Sequence, residues 1–246
     1  MKISVQLYSL RDLTAKDFKG TVEKVAKLGY DGVEFAGYGG LNASEVKVLL
    51  NDTGLLPSGS HIGMDAFMGD NYKHTVEFIK EIGLTDAAIP WLEEKYRETE
   101  EECRKTGAIF EGIAQKLAAD GITLSYHNHG FEFEKINGVY VMDLLLESAP
   151  SLKMQLDVCW CGVMGVSAVD FMNKWSDRMS SFHAKDYKIG ETPLTKTVGA
   201  GEAPMSDIVE AGKKLNLKWT VVEQDEFSGD PIESVESSLR FLRSLI

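Results

Sequence analysis

The chain has 246 residues, of which 43% are hydrophobic, and its formal net charge is −12. This length suits either two ordinary domains or one large barrel, and the acidic balance argues against a nucleic-acid-binding surface, which needs clustered Lys and Arg. No apolar run approaches the ~20 residues of a membrane helix, and the N-terminus turns polar too quickly for a signal peptide. We therefore expect a cytoplasmic protein with neither a nucleic acid nor a membrane as its partner.

Apolar segments typical of buried strands alternate along the chain with segments of helical periodicity. The first strand, over residues 2–8, precedes a helix whose apolar Phe18, Val22 and Val25 recur at helical spacing. Seven further strands are predicted over residues 32–36, 55–62, 86–91, 122–129, 153–159, 179–186 and 218–224. The predicted helices cover residues 16–28, 43–50, 72–82, 99–119, 141–148, 168–175, 205–215 and 231–246.

Eight strand–helix pairs in about 250 residues predict a closed (β/α)8 TIM barrel. The competing fold, a doubly wound open sheet, usually has a glycine-rich first turn that binds a dinucleotide. Here the first strand continues instead into Tyr8, Ser9 and Leu10. Because no linker or low-complexity segment interrupts the alternation, we expect a single barrel domain over residues 1–246. Cysteine usage agrees with a reducing compartment, since three cysteines suggest no disulfide framework.

Ligand-capable side chains occur where the predicted strands end, which is where such barrels place their active sites. They are Gln6, Tyr8, Glu34, His61, Trp91, His127, His129, Glu132, Asp157, His183, Lys185 and Glu223. Burying so many ionisable groups without partners would cost several kcal/mol each, so something must pair them. An oxygen-rich set with histidine suits a divalent cation, with Mn²⁺ or Mg²⁺ favoured and Co²⁺ or Zn²⁺ as alternatives. Such a cation would act as a Lewis acid on a sugar carbonyl while side chains move a proton from the neighbouring carbon.

Several motifs together resemble the sugar phosphate isomerase/epimerase family of xylose isomerase-like barrels. These motifs are Gln6-Leu-Tyr-Ser-Leu-Arg11, Gly29-Tyr-Asp-Gly-Val-Glu34, Tyr126-His-Asn-His129, Phe131-Glu-Phe133, Leu156-Asp157, His183-Ala-Lys185-Asp186 and Val222-Glu223. The resemblance runs through most of the chain. The broad group also contains inosose dehydratases, ketose 3-epimerases and the family 2 apurinic endonucleases.

The resemblance implies that Asp157, His183 and Glu223 bind the metal. The family's fourth ligand is usually a Glu within strand five, but this sequence has Ser125-Tyr-His-Asn-His129 there. We favour Glu132 as the fourth ligand, with His127 next and His129 as a further alternative. The same departure leaves the family's acid/base pair of glutamates incomplete, so a histidine could replace one of them.

The resemblance also suggests roles for the other strand-end residues. Glu223, His129 and Lys185 are the predicted catalytic residues, although Lys185 could instead only pair with a carboxylate. The substrate-binding residues are predicted to be Glu34, His61, His127 and Trp91. Glu34 could alternatively form an ion pair on the barrel floor. Gly199 and Gly201 follow strand seven, where many barrels bind phosphate, but no cluster of basic side chains accompanies them.

The expected function is a divalent-metal-dependent isomerase or epimerase of a keto-sugar or sugar phosphate, which transfers a proton through an enediolate. A dehydratase or lyase begins with the same proton loss and stays an alternative. A non-catalytic sugar-binding barrel is a more distant one. An endonuclease for abasic DNA is disfavoured by the charge of −12. The expected partner is a small sugar, and the sequence leaves a homo-oligomer open.

Overall fold

Eight parallel strands close into a barrel in the computed structural model, which describes residues 1–246. The strands are β1 (Lys2–Gln6), β2 (Gly32–Ala36), β3 (Leu56–His61), β4 (Asp86–Ile89), β5 (Thr123–His127), β6 (Lys153–Asp157), β7 (Met179–Ala184) and β8 (Trp219–Val222). Each strand pairs with its neighbours in chain order, and β1 pairs with β8 from Lys2 opposite Trp219 to Val5 opposite Val222. The predicted (β/α)8 fold is confirmed.

Eight main helices surround the barrel, one after each strand, and two short helices, Arg11–Thr14 and Val158–Val163, follow the first and sixth strands. The main helices are α1 (Phe18–Leu28), α2 (Ala43–Thr53), α3 (Asn71–Glu81), α4 (Glu100–Ala119), α5 (Val141–Ser148), α6 (Ala168–Lys174), α7 (Met205–Lys214) and α8 (Pro231–Leu245). The buried Val22 and Val25 of α1 show the expected helical spacing, and Gly29 ends that helix with φ of 94°. None of the helices is both long and apolar enough to cross a membrane.

The interior of the barrel is polar, whereas the layer between strands and helices is apolar. Ile3, Val5 and Phe35 are fully buried residues of the apolar core. Buried polar residues on the strands include Ser4, Gln6, Glu34, Ser58, Ser60, Ser125, Gln155, Ser181 and Thr220. Side chains two residues apart on a strand share a face, so this polar column leads toward the ligand-capable residues at the strand ends.

Most strands end earlier than the sequence predicts, because the polar residues after them form turns. The first strand stops at Gln6, and Leu7–Leu10 form a 3₁₀ helix. A short helix, Val158–Val163, begins directly after β6, where the Asp157 side chain caps it by accepting from the backbone N–H of Cys159 and Trp160. Beyond β7, Asp186–Tyr187 pairs with Thr195–Lys196 as a small antiparallel ribbon.

Candidate metal centre and substrate cavity

A cavity of about 390 Å³ opens at the carboxyl ends of the strands. Its lining residues are Tyr8, Ala36, His61, Pro90, Trp91, His127, His129, Lys185, Glu223 and Asp225. Six of the sequence-predicted site residues are therefore brought together, and the volume falls within the range of small-molecule pockets. The other four, Glu34, Glu132, Asp157 and His183, are fully buried and do not line it.

Four ligand-capable side chains meet beside this cavity: His127, Asp157, His183 and Glu223 each offer an atom within 4.8 Å of the others. His183 Nδ1 lies 2.6 Å from Glu223 Oε2, and His127 Nε2 lies 3.9 Å from Asp157 Oδ2. Two imidazoles and two carboxylates in this spacing form a set that could hold a divalent cation.

The Asp157 carboxylate presents one free oxygen to this group. Its Oδ1 accepts from the N–H of Cys159 and Trp160, whereas Oδ2 is buried without a hydrogen-bond partner. Asn128 fixes the same strand end, because its Oδ1 accepts from Asp157 N at 2.8 Å and its Nδ2 faces Asp157 O. Burial raises the pKa of Asp157 to about 6, although the Lys185 ammonium opposes this shift. This oxygen faces the Lys185 ammonium at 3.3 Å but makes no hydrogen bond, so it could also pair with a bound cation.

His183 stands between two carboxylates. Its Nδ1 faces Glu223, and its Nε2 lies 2.8 Å from Glu34 Oε2. Burial alone would lower the pKa of His183, but the charges of Glu34 and Glu223 outweigh it and raise the pKa to about 10. Without a cation, the imidazole itself therefore carries the positive charge that these carboxylates require.

Lys185 supplies a second positive charge at the cavity wall. Its Nζ lies 2.7 Å from Asp225 Oδ2, 3.3 Å from Asp157 Oδ2 and 3.5 Å from Glu223 Oε2. Burial would lower the pKa of Lys185, but these three carboxylates raise it well above its usual value. Lys185 therefore stays protonated near neutral pH, which makes it a hydrogen-bond donor and not a base.

His129 belongs to an aromatic wall of the cavity. Trp91, which is 54% exposed, meets the His129 ring edge-on at 4.9 Å, and Phe131 stacks on that ring at 5.5 Å. Burial, followed by the charge of Lys185, lowers the pKa of His129 to about 4, so the ring is neutral at pH 7. Its Nδ1 has no hydrogen-bond partner. The wall thus combines apolar faces with a neutral imidazole ring.

The structure does not bring Glu132, the favoured fourth ligand, into the group of four. The chain turns into a 3₁₀ helix at Phe131–Phe133, which directs the carboxylate back to the local chain. One oxygen accepts from the Tyr126 hydroxyl, and the other accepts from His129 N at 2.7 Å. Both oxygens are therefore engaged, and His127, the next alternative, lies in the group instead.

Three residues that sequence reasoning did not select also shape the site: Asn128, Gln155 and Asp225. Gln155 Oε1 accepts from His61 Nε2 at 2.8 Å, and Gln155 Nε2 donates to Glu34 Oε1 at 2.6 Å. Its position two residues before Asp157 on the same strand face was an available signal. Asp225 likewise follows Glu223 by two residues, but it lies beyond the strand, where that spacing no longer predicts direction.

Comparison with known proteins identifies the family of the chain. The sequence matches the profile of the xylose isomerase-like TIM barrel family over residues 22–245. The chain belongs to this family. A comparison with curated protein sequences finds no match.

Solved members of similar fold extend over nearly the whole chain. A sugar phosphate isomerase/epimerase from Parabacteroides distasonis superposes with a TM-score of 0.85 at 23% identity, covering 99% of this chain and 94% of its own. The probable 3-DHS dehydratase of Bacillus anthracis gives 0.73 at 14% identity, with 99% of both chains covered. A D-psicose 3-epimerase from Clostridium cellulolyticum gives 0.72 at 17% identity, covering 100% and 99%. At these identities the similarity establishes the shared xylose isomerase-like fold.

Proposed function

We propose that the protein is a divalent-metal-dependent enzyme that isomerises or epimerises a keto-sugar by moving a proton next to its carbonyl group. The observation that carries this proposal is the convergence of His127, Asp157, His183 and Glu223 beside a cavity of sugar size. These four residues would hold Mn²⁺, or alternatively Mg²⁺, Co²⁺ or Zn²⁺, and Asp157 Oδ2, which makes no hydrogen bond, fits such a cation. When bound, the metal would polarise the sugar carbonyl as a Lewis acid.

Two cavity residues suit the two halves of a proton transfer. His129 is neutral and lines the cavity, so its imidazole can accept a proton from the carbon beside the carbonyl. Lys185 is held protonated, so it can donate a hydrogen bond to the oxygen on which negative charge develops. Glu223 also lines the cavity and is the candidate for the second proton transfer, while His61 and Trp91 are expected to contact the sugar.

We further propose that the substrate is an unphosphorylated sugar. The loop after β7 has the backbone N–H groups that could bind a phosphate, but Gly199, Gly201 and Ala203 all donate to the Asp186 carboxylate instead. The Asp186 carboxylate thus occupies the position that a phosphate group would need. In the cavity, the single lining ammonium, Lys185, is already paired with carboxylates. A dianionic phosphate would therefore gain little there.

A dehydratase or lyase shares the opening proton loss, and the fold's likeness to a probable dehydratase keeps this alternative in view. The difference lies in the next step, in which a dehydratase expels a hydroxyl group instead of returning the proton. The products therefore separate the two reactions, since only one of them has lost water.

The test is exchange of substrate protons in D₂O, followed by NMR, for a panel of keto-sugars and their phosphates. We expect exchange with the unphosphorylated sugars, its loss after chelation and in Asp157→Asn, and a drop of about 10²- to 10⁴-fold in His129→Ala. His74→Ala, on the outer helix α3, is the matched control and should exchange like the wild type. Exchange that survives chelation or Asp157→Asn would overturn the metal-dependent mechanism. Preference for the phosphates would overturn the substrate proposal.

A further inference from the structure

Glu34 is a fully buried carboxylate on β2 that does not reach the cavity. It lies under the group of four ligand-capable residues and touches one of them. Its Oε2 is 2.8 Å from His183 Nε2, the ring nitrogen opposite the one that faces Glu223. A single imidazole therefore links a carboxylate of the proposed metal centre to a carboxylate of the barrel interior.

The surroundings of Glu34 hold its carboxylate in one position. Gln6 Nε2 donates to Oε2 at 2.7 Å, and Gln155 Nε2 donates to Oε1 at 2.6 Å. Space for the carboxylate depends on Gly59, since a Cβ there would come within 2.6 Å of Glu34 Oε1. Three other strands thus fix the Glu34 carboxylate: two provide hydrogen-bond donors, and the third provides the space that a glycine leaves. An ion pair alone would not need this support.

This arrangement determines which nitrogen of His183 can bind a metal. Both ring nitrogens of His183 face a carboxylate, and carboxylates only accept hydrogen bonds. The Nε2–Glu34 contact is close, although it is not aligned as a hydrogen bond. A cation held beside Glu223 would take the place of the Nδ1 proton and leave the Nε2 proton next to Glu34. The lone pair of the neutral ring would then reside on Nδ1, which faces Glu223. Metal-binding histidines usually donate their second N–H to a carboxylate in this way, which fixes the tautomer and the ring orientation.

We infer that Glu34 is a positioning residue, which orients His183 for metal binding through Nδ1 and does not contact the sugar. The inference rests on the proposed metal centre. This role differs from the substrate binding that the sequence suggested for Glu34. It develops the alternative, an ion pair on the barrel floor, by naming His183 as the partner. His61 is part of the same support, because its ring stacks on His183 at 5.4 Å with an interplanar angle of 7°.

The test compares Glu34→Gln with the wild type by titration calorimetry with Mn²⁺ and by NMR of the ¹⁵N-histidine-labelled Zn²⁺ form. We expect Glu34→Gln to bind Mn²⁺ about 10- to 100-fold more weakly, as is typical when the partner of a metal-bound histidine is lost. We also expect the Nε2–H proton of His183 to move upfield. Asp143→Asn is the matched control, because Asp143 is also a buried carboxylate but pairs with Lys174 and Trp175 in the outer helix layer.

Each outcome decides a separate question. If the wild type binds no divalent metal, the proposed function fails before this inference is reached. If the wild type binds metal and Glu34→Gln binds it equally well, with an unchanged Nε2–H signal, the inference is wrong. Unchanged metal affinity together with weaker sugar binding would indicate that Glu34 binds substrate, and would also overturn the inference. Should Glu34→Gln not fold, Glu34→Asp keeps the charge on a shorter side chain and is expected to weaken Mn²⁺ binding by a smaller factor.

Discussion

At the residue scale, the end of β5 offers two candidates for the fourth metal ligand, and their surroundings differ. His127 is buried beside the other three ligand-capable residues, and its Nδ1 has no hydrogen-bond partner. Glu132 has both oxygens engaged by Tyr126 and His129. To bind a metal, Glu132 would have to leave a buried backbone N–H and a buried hydroxyl unpaired, which costs about 1–3 kcal/mol for each. His127 has no such contact to give up.

The two candidates can be separated by paired substitutions. We expect His127→Ala to lower metal affinity by more than about 100-fold, which exceeds the usual effect of losing an outer partner. Glu132→Gln should keep the metal, but its unfolding free energy should fall by about 1–3 kcal/mol because one donor loses its acceptor. Metal content after gel filtration and urea denaturation measure the two effects. Metal loss in Glu132→Gln alone would return the fourth position to Glu132.

At the element scale, the segment between β7 and α7 is organised around one side chain. The Asp186 carboxylate accepts from the backbone N–H groups of Tyr187, Gly199, Gly201 and Ala203. Four acceptor contacts on one buried carboxylate tie the far end of the loop to the end of the strand. The same segment forms the short ribbon of Asp186–Tyr187 with Thr195–Lys196.

Removing this carboxylate should loosen the loop while leaving the barrel closed. We expect Asp186→Ala to lose about 2–4 kcal/mol of unfolding free energy, because hydrogen bonds to a charged group contribute about 1.5–3 kcal/mol each and the freed N–H groups partly regain water. The loop should become the first site of limited proteolysis. Gly201→Ala should act in the same direction, since its Cβ would clash with the Asp186 carboxylate and the Tyr187 carbonyl. Unchanged proteolysis in both variants would contradict this role for Asp186.

The alternation of elements was readable from the sequence, but the direction of side chains beyond the strand ends was not. Asp157, His183 and Glu223 follow from motifs at strand ends, and the structure brings all three together. Glu132 lies outside this group, because it follows β5 by five residues in a 3₁₀ turn where its oxygens accept from Tyr126 and His129. The buried position of the Glu34 carboxylate depends on Gly59 and Gln155. Gln155 is distant in sequence and becomes a neighbour only when the barrel closes.

At the scale of the whole molecule, barrel closure brings Asp157, at the end of β6, and Glu223, just after β8, to the same Lys185 ammonium. The loop after β8 adds Asp225 at 2.7 Å. This internal cation partly neutralises the site before any metal binds. The proposed metal centre should therefore differ from a structural zinc site, whose loss unfolds the chain. Metal binding should add stability to a barrel that is already folded.

Metal removal should therefore lower the melting temperature without unfolding the protein at 25 °C. A metal present at about 1,000 times its Kd adds roughly 4 kcal/mol, which corresponds to about 10 °C for a chain of this size. We expect Lys185→Met to destabilise the chelated protein by about 3–5 kcal/mol, because it leaves buried carboxylates without their partner. The same substitution should cost less in the metal-loaded protein, where the cation still pairs Asp157 and Glu223. Calorimetric melting of both proteins, with Mn²⁺ and with chelator, measures this difference. An equal loss in the two states would mean that Lys185 and the metal do not act on the same carboxylates.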